Sequence, residues 1–383
     1  MRILFAILLS ACGARLTAAQ RQEQLAASLR AIPPDAEPNP PLDPPADGKL
    51  AFDTEYWLGT QQEEARLIKS FGDQIQAIQK KAAEKHGTSV GRGFHQKSHG
   101  CVRGELQLHP QRDARTRFGV FAEQYSSWPV IVRYSNGVGW AQADSELDAR
   151  GMAVKLLGVP GKKYLDDEKL TQDFLMTNSP TPVGKDAVEF MQFAQANVDG
   201  RLPGVFFLLG HLRTGNALFR TGAVDSTVNE TYWSGGPVHL GAQQAVKISA
   251  TPCAAQAKRK PKHEGPDYLS ADLAQAAKEG ICATIRVQFQ ADPVEMPIEN
   301  SSIAWDEKIS VPVPVGDLVV APQALMPKQE CDALVYHPWH AIAEHKPMGN
   351  HNRARLVVYS ASQALRPRGP EPVLAAPASL PAQ

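Results

Sequence analysis

The chain has 383 residues, of which 43% are hydrophobic and 21% charged, so it can form one large domain or two ordinary ones. Forty basic side chains balance forty acidic ones, which excludes a nucleic-acid binder that relies on attraction to phosphate. No stretch beyond the N-terminal residues is apolar for long enough to cross a bilayer.

The first residues, MRILFAILLSACG, combine one positive charge with a short apolar run that ends at Cys12. The sequence LSAC resembles the lipobox of bacterial lipoproteins, in which the cysteine is acylated. We therefore expect residues 1–12 to be a signal segment and Cys12 to carry a lipid anchor in the bacterial cell envelope. The alternatives are a signal cleaved after LTAA (16–19), which leads to the periplasm, and a cytosolic protein with an apolar start.

Either form of export places the folded protein where disulfides can form. Four cysteines would then remain, namely Cys101, Cys253, Cys282 and Cys331. They lack CxxC spacing, which does not favour a zinc site. A bond between Cys253 and Cys282 is one pairing that their closeness in the sequence allows.

Two proline-rich segments flank a continuous middle region. Residues 31–49 are typical of an extended tether, and residues 366–383 have a similar composition. We therefore divide the chain into a signal (1–12), a tether (13–60), one folded domain (61–366) and a disordered tail (367–383). A tether of this kind either hangs free or reaches a neighbouring chain, so a homo-oligomer is a further hypothesis.

The middle region alternates helical and strand-like patterns. Apolar spacing predicts helices over 62–85, 184–198, 203–220 and 270–280, the last capped by Ser270. Alternating or short apolar runs predict strands over 104–110, 128–137, 150–158, 172–178, 244–252, 282–292 and 308–320. Pro312 and Pro314 lack an N–H on the same side of the last strand, which indicates a sheet edge. The pattern predicts an α+β fold with an antiparallel β-barrel, closed or nearly closed, and surrounding helices.

Near the C-terminus, NHNRARLVVYSASQALR (350–366) is predicted to be a helix. Arg355, Tyr359 and Arg366 recur at helical spacing, so they share one face. A guanidinium one turn from a phenol favours the phenolate. An ordinary amphipathic helix with a hydrogen-bonded tyrosine is the alternative interpretation of the same spacing.

Six blocks of sequence resemble, in order, those of the catalase superfamily. They are RGFHQKSHG (92–100), VRYS (132–135), DARGMAVK (148–155), TNSPTPVGKD (177–186), WDEKISVPVPVGDLVV (305–320) and RLVVYSASQALR (355–366). The chain is most similar to the small, single-domain, catalase-related haem proteins of that superfamily. The resemblance implies a catalase-like haem-binding fold, with the haem in a cavity of the barrel.

The resemblance also implies roles for the residues that carry the chemistry. Tyr359 would be the metal ligand, holding the ferric iron of haem b, and Arg355 would favour its phenolate. His95 would transfer a proton on the peroxide substrate as a general acid–base catalyst. Ser135 would hydrogen-bond the other nitrogen of the His95 ring.

Four further residues are implied to bind the cofactor. Arg92, Arg133 and Arg366 match positions that pair with the haem propionates, for which the forked guanidinium is suited. Phe190 matches the aromatic residue that stacks on the porphyrin. Without the other matches, Phe190 would be interpreted as a core residue of its helix.

The sequence departs from the family pattern at two places. Catalases have two asparagines where this chain has Thr177 and Asn178. Counting back from Asp186 places the catalytic position on Thr177, and Asn178 reaches it only with a shift of register, so both are candidate catalytic residues. Bulky Phe94 stands before His95 in place of a small aliphatic residue, which alters the access of peroxide.

These features favour a haem-dependent peroxidase or weak catalase. One alternative is an enzyme that rearranges fatty-acid hydroperoxides, as in the allene oxide synthase branch of the superfamily. Another is a non-enzymatic haem-binding lipoprotein of the envelope. A separate hypothesis is a non-haem metal site at His337, His340 and His345, since the first two stand at i and i+3. Neither a GxSxG elbow nor a GxGxxG motif follows a predicted strand, so hydrolase and dinucleotide sites are not indicated.

Overall fold

The computed structural model describes residues 60–210, 224–256 and 258–372. The predicted signal with Cys12, the tether before Thr60 and the tail beyond 372 lie outside these residues. Most of the second half of the helix predicted over 203–220 lies outside them as well. Within the part of the chain that is described, no helix is both long and apolar enough to span a membrane.

The helix predicted over 62–85 is α1, Gln61–His86. It begins with a capping box, in which Thr60 Oγ1 accepts the Glu63 N–H and the Glu63 carboxylate accepts the Thr60 N–H. It ends at Gly87, whose φ of 63° is the left-handed conformation that glycine adopts without strain. Both ends of this helix are therefore specified by local sequence.

Nine antiparallel strands form one sheet that closes on itself. They are β1 Ser98–Leu108, β2 Ser127–Asn136, β3 Arg150–Leu157, β4 Thr171–Thr177, β5 Tyr232–Ser234, β6 Val238–His239, β7 Ala245–Pro252, β8 Ile281–Phe289 and β9 Val313–Val320. Pairing runs β1-β2-β3-β4-β5-β7-β8-β9 and returns to β1, while β6 adds to β7 beside this ring. The predicted α+β fold with an antiparallel barrel is confirmed.

The barrel closes through β5, which has only 3 residues. It pairs with the end of β4 on one side and with β7 on the other, through two residue pairs on each side. Segments as short as β5 and β6 contain too few residues for a periodic pattern, so the sequence does not predict them.

The prediction that the last strand lies at a sheet edge is wrong. β9 lies between β1 and β8 and pairs with both. Its ladder with β1 begins only at Gly316, and its register with β8 shifts beside Arg286, the residue opposite Pro314. The missing N–H of Pro314 therefore falls at a bulge and outside the β1 ladder, and Pro312 precedes the strand.

Further α-helices among the described residues pack outside the barrel. They are α2 Ala187–Asp199, α3 Arg201–Gly210, α4 Tyr268–Glu279, α5 Lys328–Ala333 and α6 Gly349–Gln363. The prediction that Ser270 caps α4 is wrong, because Asp267 is the N-cap and Ser270 lies inside the first turn. Tyr268 and Leu269 are buried, and their packing extends the helix toward the N-terminus.

Two apolar cores sit on opposite sides of the barrel wall. The inside of the barrel is filled by side chains that alternate along its strands, among them Val132, Tyr134, Met152 and Val154. A second cluster forms outside, between α1, α2 and α6. This second cluster contains no residue of the strands, so the helices form a separate layer outside the barrel.

Two disulfides are present. The bond between Cys253 and Cys282 confirms the pairing that the sequence allows. The bond between Cys101 and Cys331 joins β1 to α5 across a sequence separation of 230. It fixes α5 and the segment that follows it against the barrel.

Candidate functional site

The candidate residues meet in two adjoining cavities between the outer face of the barrel and α6. The cavities hold about 840 and 1630 Å³ of space between atoms, counted out to their mouths. They share the lining residues Phe94, His95, Thr177, Arg355, Val358 and Tyr359. Every candidate for the haem site except Asn178 lines at least one of them. The expectation of a cofactor inside the barrel is wrong, because the inside is packed with side chains.

A flat patch of barrel wall forms one side of the first cavity. Ser135 of β2, Gly151 of β3 and Thr177 of β4 are paired neighbours in register. The next row, two residues along each strand, consists of Arg133, Ala153 and Leu175. Because side chains alternate between the two faces of a strand, both rows share the outer face. The sheet register thus brings residues of three separate sequence blocks together, among them the candidates Arg133, Ser135 and Thr177.

His95 lies over this patch, in the loop before β1. It is the only non-glycine residue in the described ranges with a positive φ, 56°, a strained conformation that clusters at functional sites. Its Nδ1 lies 2.5 Å from the Asn136 carbonyl oxygen and 3.2 Å from Ser135 Oγ. The carbonyl only accepts, so Nδ1 carries the proton and Nε2 keeps its lone pair.

The surroundings of His95 keep its ring uncharged. Burial, together with the nearby charge of Arg133, lowers the pKa of His95 to about 4. The ring is therefore neutral at pH 7, and Nε2 can accept a proton there. The hydrogen bond predicted to Ser135 is present, and the shorter bond to the Asn136 carbonyl is one that the sequence does not reveal.

Gly151 provides the space that the His95 ring occupies. A methyl group at Gly151 would lie 2.5 Å from His95 Nδ1 and 2.8 Å from Ser135 Oγ. Contacts that short do not occur, so any other residue at this position must move the histidine. The glycine belongs to the block DARGMAVK, but only the structure shows what it does.

Thr177 and Asn178 point to different sides of the end of β4. Thr177 lines both cavities. Asn178 accepts a hydrogen bond from the Arg150 N–H at 2.7 Å and donates one to the Glu230 carboxylate at 3.2 Å. The Asn178 amide thus supports the strand end and lines neither cavity, whereas Thr177 lines both.

Three predicted arginines, Arg92, Arg133 and Arg366, lie in the wall of the first cavity. Arg92 Nη2 donates to the carbonyl oxygens of Asp332 at 3.0 Å and Leu334 at 2.7 Å. Burial and the charge of Arg92 hold the pKa of Arg133 well below its usual range. The same two causes lower the pKa of Arg366 to about 9. The cluster is therefore a concentrated positive charge in a buried wall.

Five buried polar atoms of this wall have no hydrogen-bond partner among the described residues. Three are Arg133 Nε, Arg366 Nε and the hydroxyl oxygen of Tyr336, and the other two are the side-chain amide nitrogen and oxygen of Gln363. Buried polar groups are nearly always paired in folded proteins. Donors without an acceptor beside clustered positive charge indicate a site for an anionic ligand, and a carboxylate fits the guanidinium fork. Sequence analysis predicts no role for Tyr336, which stands directly before His337 in the segment YHPWH.

Tyr359 faces both cavities from α6, one turn after Arg355. Arg355 Cζ lies 5.9 Å from the centre of the Tyr359 ring, and its Nη1 donates to Asn352 Oδ1 at 3.1 Å. A methyl group at Gly235 would lie 2.4 Å from Arg355 Nη2, so this glycine leaves room for the guanidinium. The ring of His337, 5.5 Å from that of Tyr359, is a neighbour that sequence reasoning missed.

The second cavity is largely apolar. Its wall includes Phe94, Trp140, Val183, Phe190, Met191 and Leu208. The rings of Phe94 and Phe190 are 4.9 Å apart at an angle of 50°. Phe190 therefore lines a cavity that reaches His95 and Tyr359, and a molecule with an apolar part can occupy this space.

The alternative metal site at His337, His340 and His345 is not assembled. His345 Nε2 accepts a hydrogen bond from the Val120 N–H at 2.9 Å, and its ring packs edge-on against Phe121. His337 lies beside Tyr359 instead. The rings of His337 and His340 are neighbours, with centres 5.6 Å apart, but His345 does not join them, so the hypothesis that the three share one ion is wrong.

His340 does meet acidic groups, namely Glu168 and Asp173, in the one cluster of the described chain whose geometry could hold a metal. Lys155 Nζ already lies among them, bonded to Glu168 and 2.9 Å from Asp173 Oδ2. Although burial opposes it, hydrogen bonds with Asp167 and Asp173 raise the pKa of His340 to about 9. A charged imidazole has no lone pair for a metal, so this cluster is a network of ion pairs.

No protein-family model and no curated protein sequence matches this chain. Its structure is similar to solved structures of a fungal catalase (18% identity, TM-score 0.57), a bacterial catalase (16%, 0.58) and catalase A from Saccharomyces cerevisiae (16%, 0.57). The similarities cover 75%, 77% and 87% of this chain and 61%, 61% and 68% of those chains, respectively. The chain therefore has the catalase-like fold and spans 61% of the length of the fungal and bacterial catalases.

Proposed function

We propose that the protein binds haem b, with Tyr359 as the ligand of the ferric iron, and cleaves peroxides with His95 as the acid–base catalyst. The observation that carries this proposal is the shared cavity wall. A neutral histidine on the barrel side and a tyrosine with an arginine neighbour on α6 line the same space. The catalase-like fold supports the same conclusion, and five of the six sequence blocks contribute residues to the walls of the two cavities.

The residues of the first cavity fit a haem. Its propionate carboxylates would accept hydrogen bonds from Arg92, Arg133 and Arg366, and from the Tyr336 hydroxyl. Bound propionates would give partners to Arg133 Nε, Arg366 Nε and the Tyr336 hydroxyl, which have none within the described chain. Phe190 offers an aromatic surface to the macrocycle. When bound, the haem would supply an iron that exchanges electrons with the peroxide.

The side chains of this protein then have separate tasks. His95 Nε2 accepts the proton of the peroxide and returns it to the departing oxygen. The Asn136 carbonyl and Ser135 hold the ring so that Nδ1 keeps its proton throughout. Thr177 offers a hydroxyl for hydrogen bonding to the peroxide, in the place where catalases have an amide.

The pH dependence of peroxide cleavage follows from His95. Because its pKa is about 4, the ring is neutral and active through the neutral range, and protonation removes its base only at low pH. We expect kcat/KM to stay level down to about pH 5 and to fall below it, since the free-enzyme base titrates there. Initial rates measured directly after a pH jump test this. A fall that begins near pH 6.5, the value for an ordinary histidine, would contradict the proposed environment.

Replacing Gly151 with Ala is expected to displace His95 and so lower peroxide cleavage without loss of haem. The added methyl group would lie 2.5 Å from His95 Nδ1, and a misplacement of about 1 Å can cost roughly 100-fold in rate. The Soret spectrum and the initial rate of peroxide loss are measured on the same sample. Gly210→Ala is the matched control, because a methyl group there meets no described atom within 4 Å. Equal rates in the two variants would show that Gly151 does not seat the histidine.

The apolar second cavity favours organic hydroperoxides as an alternative substrate class. Phe94, Trp140 and Met191 line a space that suits an acyl chain better than water. A hydroperoxide-rearranging enzyme would consume a fatty-acid hydroperoxide rapidly and isomerise it without an electron donor. Product analysis after incubation with and without a donor separates rearrangement from peroxidation.

We also infer that the protein works in the bacterial cell envelope, anchored by Cys12. The two disulfides support an oxidising compartment, and the N-terminal sequence supports export. Growth with a labelled fatty acid should label the full-length protein and not its Cys12→Ala variant. Label on both proteins, or on neither, would contradict the anchor.

An absorbance spectrum of the purified, haem-supplied protein is the experiment that tests the proposal most directly. A ferric high-spin spectrum is expected, followed by peroxide loss when hydrogen peroxide or an organic hydroperoxide is added. A haem spectrum with no loss of either peroxide would indicate a haem carrier. No haem spectrum at all would overturn the proposal.

A further inference from the structure

A buried tryptophan connects the neighbourhood of Tyr359 to the protein surface. Trp339 is 1% exposed, and its ring meets that of Tyr164 edge to face, with centres 5.3 Å apart and planes at 87°. Tyr164 is 41% exposed. An aromatic ring that touches the buried tryptophan thus reaches solvent.

The inner side of Trp339 is held by two hydrogen bonds. Its backbone N–H donates to His337 Nδ1 at 3.1 Å, and its indole N–H donates to the Asn352 carbonyl oxygen at 2.7 Å. The His337 ring lies 5.5 Å from the ring of Tyr359, and Asn352 lies on the same helix as Tyr359. Contacts therefore run from the cavity wall through His337 and Trp339 to Tyr164.

Hydrogen bonds fix the polar groups along this path. Nδ1 of His337 accepts the Trp339 N–H, so this nitrogen carries no proton. The His340 ring, next to Trp339 in the chain, is hydrogen-bonded to the carboxylates of Asp167 and Asp173, which offset its charge. Trp339 and Tyr164 also carry the two side chains that lose an electron most readily among the aromatic residues.

A peroxidase needs a source of electrons. Cleavage of a hydroperoxide ROOH to an alcohol ROH and water breaks the O–O bond and consumes two electrons and two protons. A phenol ArOH supplies one electron and one proton and leaves as a phenoxyl radical, so two phenols complete the reaction. A phenol attached to a large body cannot follow the peroxide into the cavity.

We propose that Tyr164 is a surface site at which phenolic one-electron donors are oxidised, and that Trp339 passes their electrons toward the cavity. This proposal rests on the proposed function. Trp339 gives an electron inward and takes one from Tyr164, which releases its phenolic proton to water. A donor phenol then returns a hydrogen atom to Tyr164. The balance is ROOH + 2 ArOH → ROH + H2O + 2 ArO•.

The test uses one phenol in two forms, free and coupled to a soluble dextran that cannot enter the cavity. Haem-loaded protein receives hydrogen peroxide with each form, and the oxidised phenol is measured. Tyr164→Phe is expected to lose most of its oxidation of the coupled phenol and to oxidise the free phenol, which can enter the cavity, at the parent rate. Tyr125→Phe is the matched control, since Tyr125 packs on Trp128 and lines neither cavity.

A second readout locates the radical in the protein and does not measure a rate. Protein treated with peroxide and a nitroso spin trap is digested, and the trapped adduct is located by mass spectrometry. The adduct is expected on Tyr164 in the parent and lost from Tyr164 in the Trp339→Phe variant. Tyr164 is exposed, so its own variant does not disturb the core.

Two outcomes distinguish a failure of this electron route from a failure of the proposed peroxide cleavage. If the parent cleaves peroxide, yet Tyr164→Phe oxidises the coupled phenol equally fast and Tyr164 carries no adduct, the route is overturned alone. If the parent cleaves no peroxide at all, the proposed function is overturned and the route with it.

Discussion

Replacing Tyr359 with Phe is expected to give a folded protein that no longer retains haem. The substitution removes the phenolic oxygen, which is the proposed ligand of the iron, and leaves the ring in place. Loss of a residue that only supports a metal ligand costs about 10–100-fold in affinity, so loss of the ligand itself is expected to cost more than about 100-fold. Titration of haem into the haem-free proteins, followed by absorbance, measures the change.

Tyr125→Phe is again the matched control, because it removes a hydroxyl from a tyrosine outside both cavities. It should bind haem as the parent does. Circular dichroism and thermal melting of each haem-free variant distinguish lost binding from lost folding. A Tyr359→Phe protein with the affinity and spectrum of the parent would contradict the ligand assignment.

Replacing His95 with Asn is expected to keep haem and to remove most peroxide cleavage. Loss of a positioned acid–base group typically costs about 100- to 10,000-fold in rate. Asn is chosen because His95 has a φ of 56°, and Asn tolerates this left-handed conformation better than Ala does. Stopped-flow measurement of peroxide loss, with the Soret band recorded in parallel, reports both properties.

His109→Asn controls for the loss of a histidine as such. His109 lies outside both cavities and contacts Asp317 at 3.0 Å, so its variant should cleave peroxide at the parent rate. If His95→Asn were as fast as the parent, the proton-transfer role would belong to another group.

The main elements and most of the candidate site can be predicted from the sequence, but from different kinds of signal. Helix α1 follows from its apolar spacing and from Thr60, Glu63 and Gly87, which are local signals. The site follows from ordered blocks, and the sheet register then brings their residues together. The sequence blocks do not distinguish Thr177 from Asn178. Strand alternation does so, because it points Thr177 into the cavity and turns Asn178 away from it.

What the sequence could not predict depends on contacts between distant segments. Tyr336 and His337 lie in a loop without periodicity, and only packing against the barrel and α6 places them beside the site. The pairing of Cys101 with Cys331 spans 230 positions, so no spacing rule reaches it. Pro314 led to a wrong prediction of a sheet edge, because the bulge beside it and the end of the β1 ladder depend on strand pairing. The sequence of a single strand does not show either feature.

The bond between Cys101 and Cys331 bears on the proposed haem site. The carbonyl groups that hold the Arg92 guanidinium belong to Asp332 and Leu334, one and three residues after Cys331. While both thiols remain reduced, this stretch lacks its covalent tie to β1, and the arginine loses a fixed anchor. If Arg92 pairs with haem as proposed, we expect the oxidised chain to bind haem more tightly than the reduced chain.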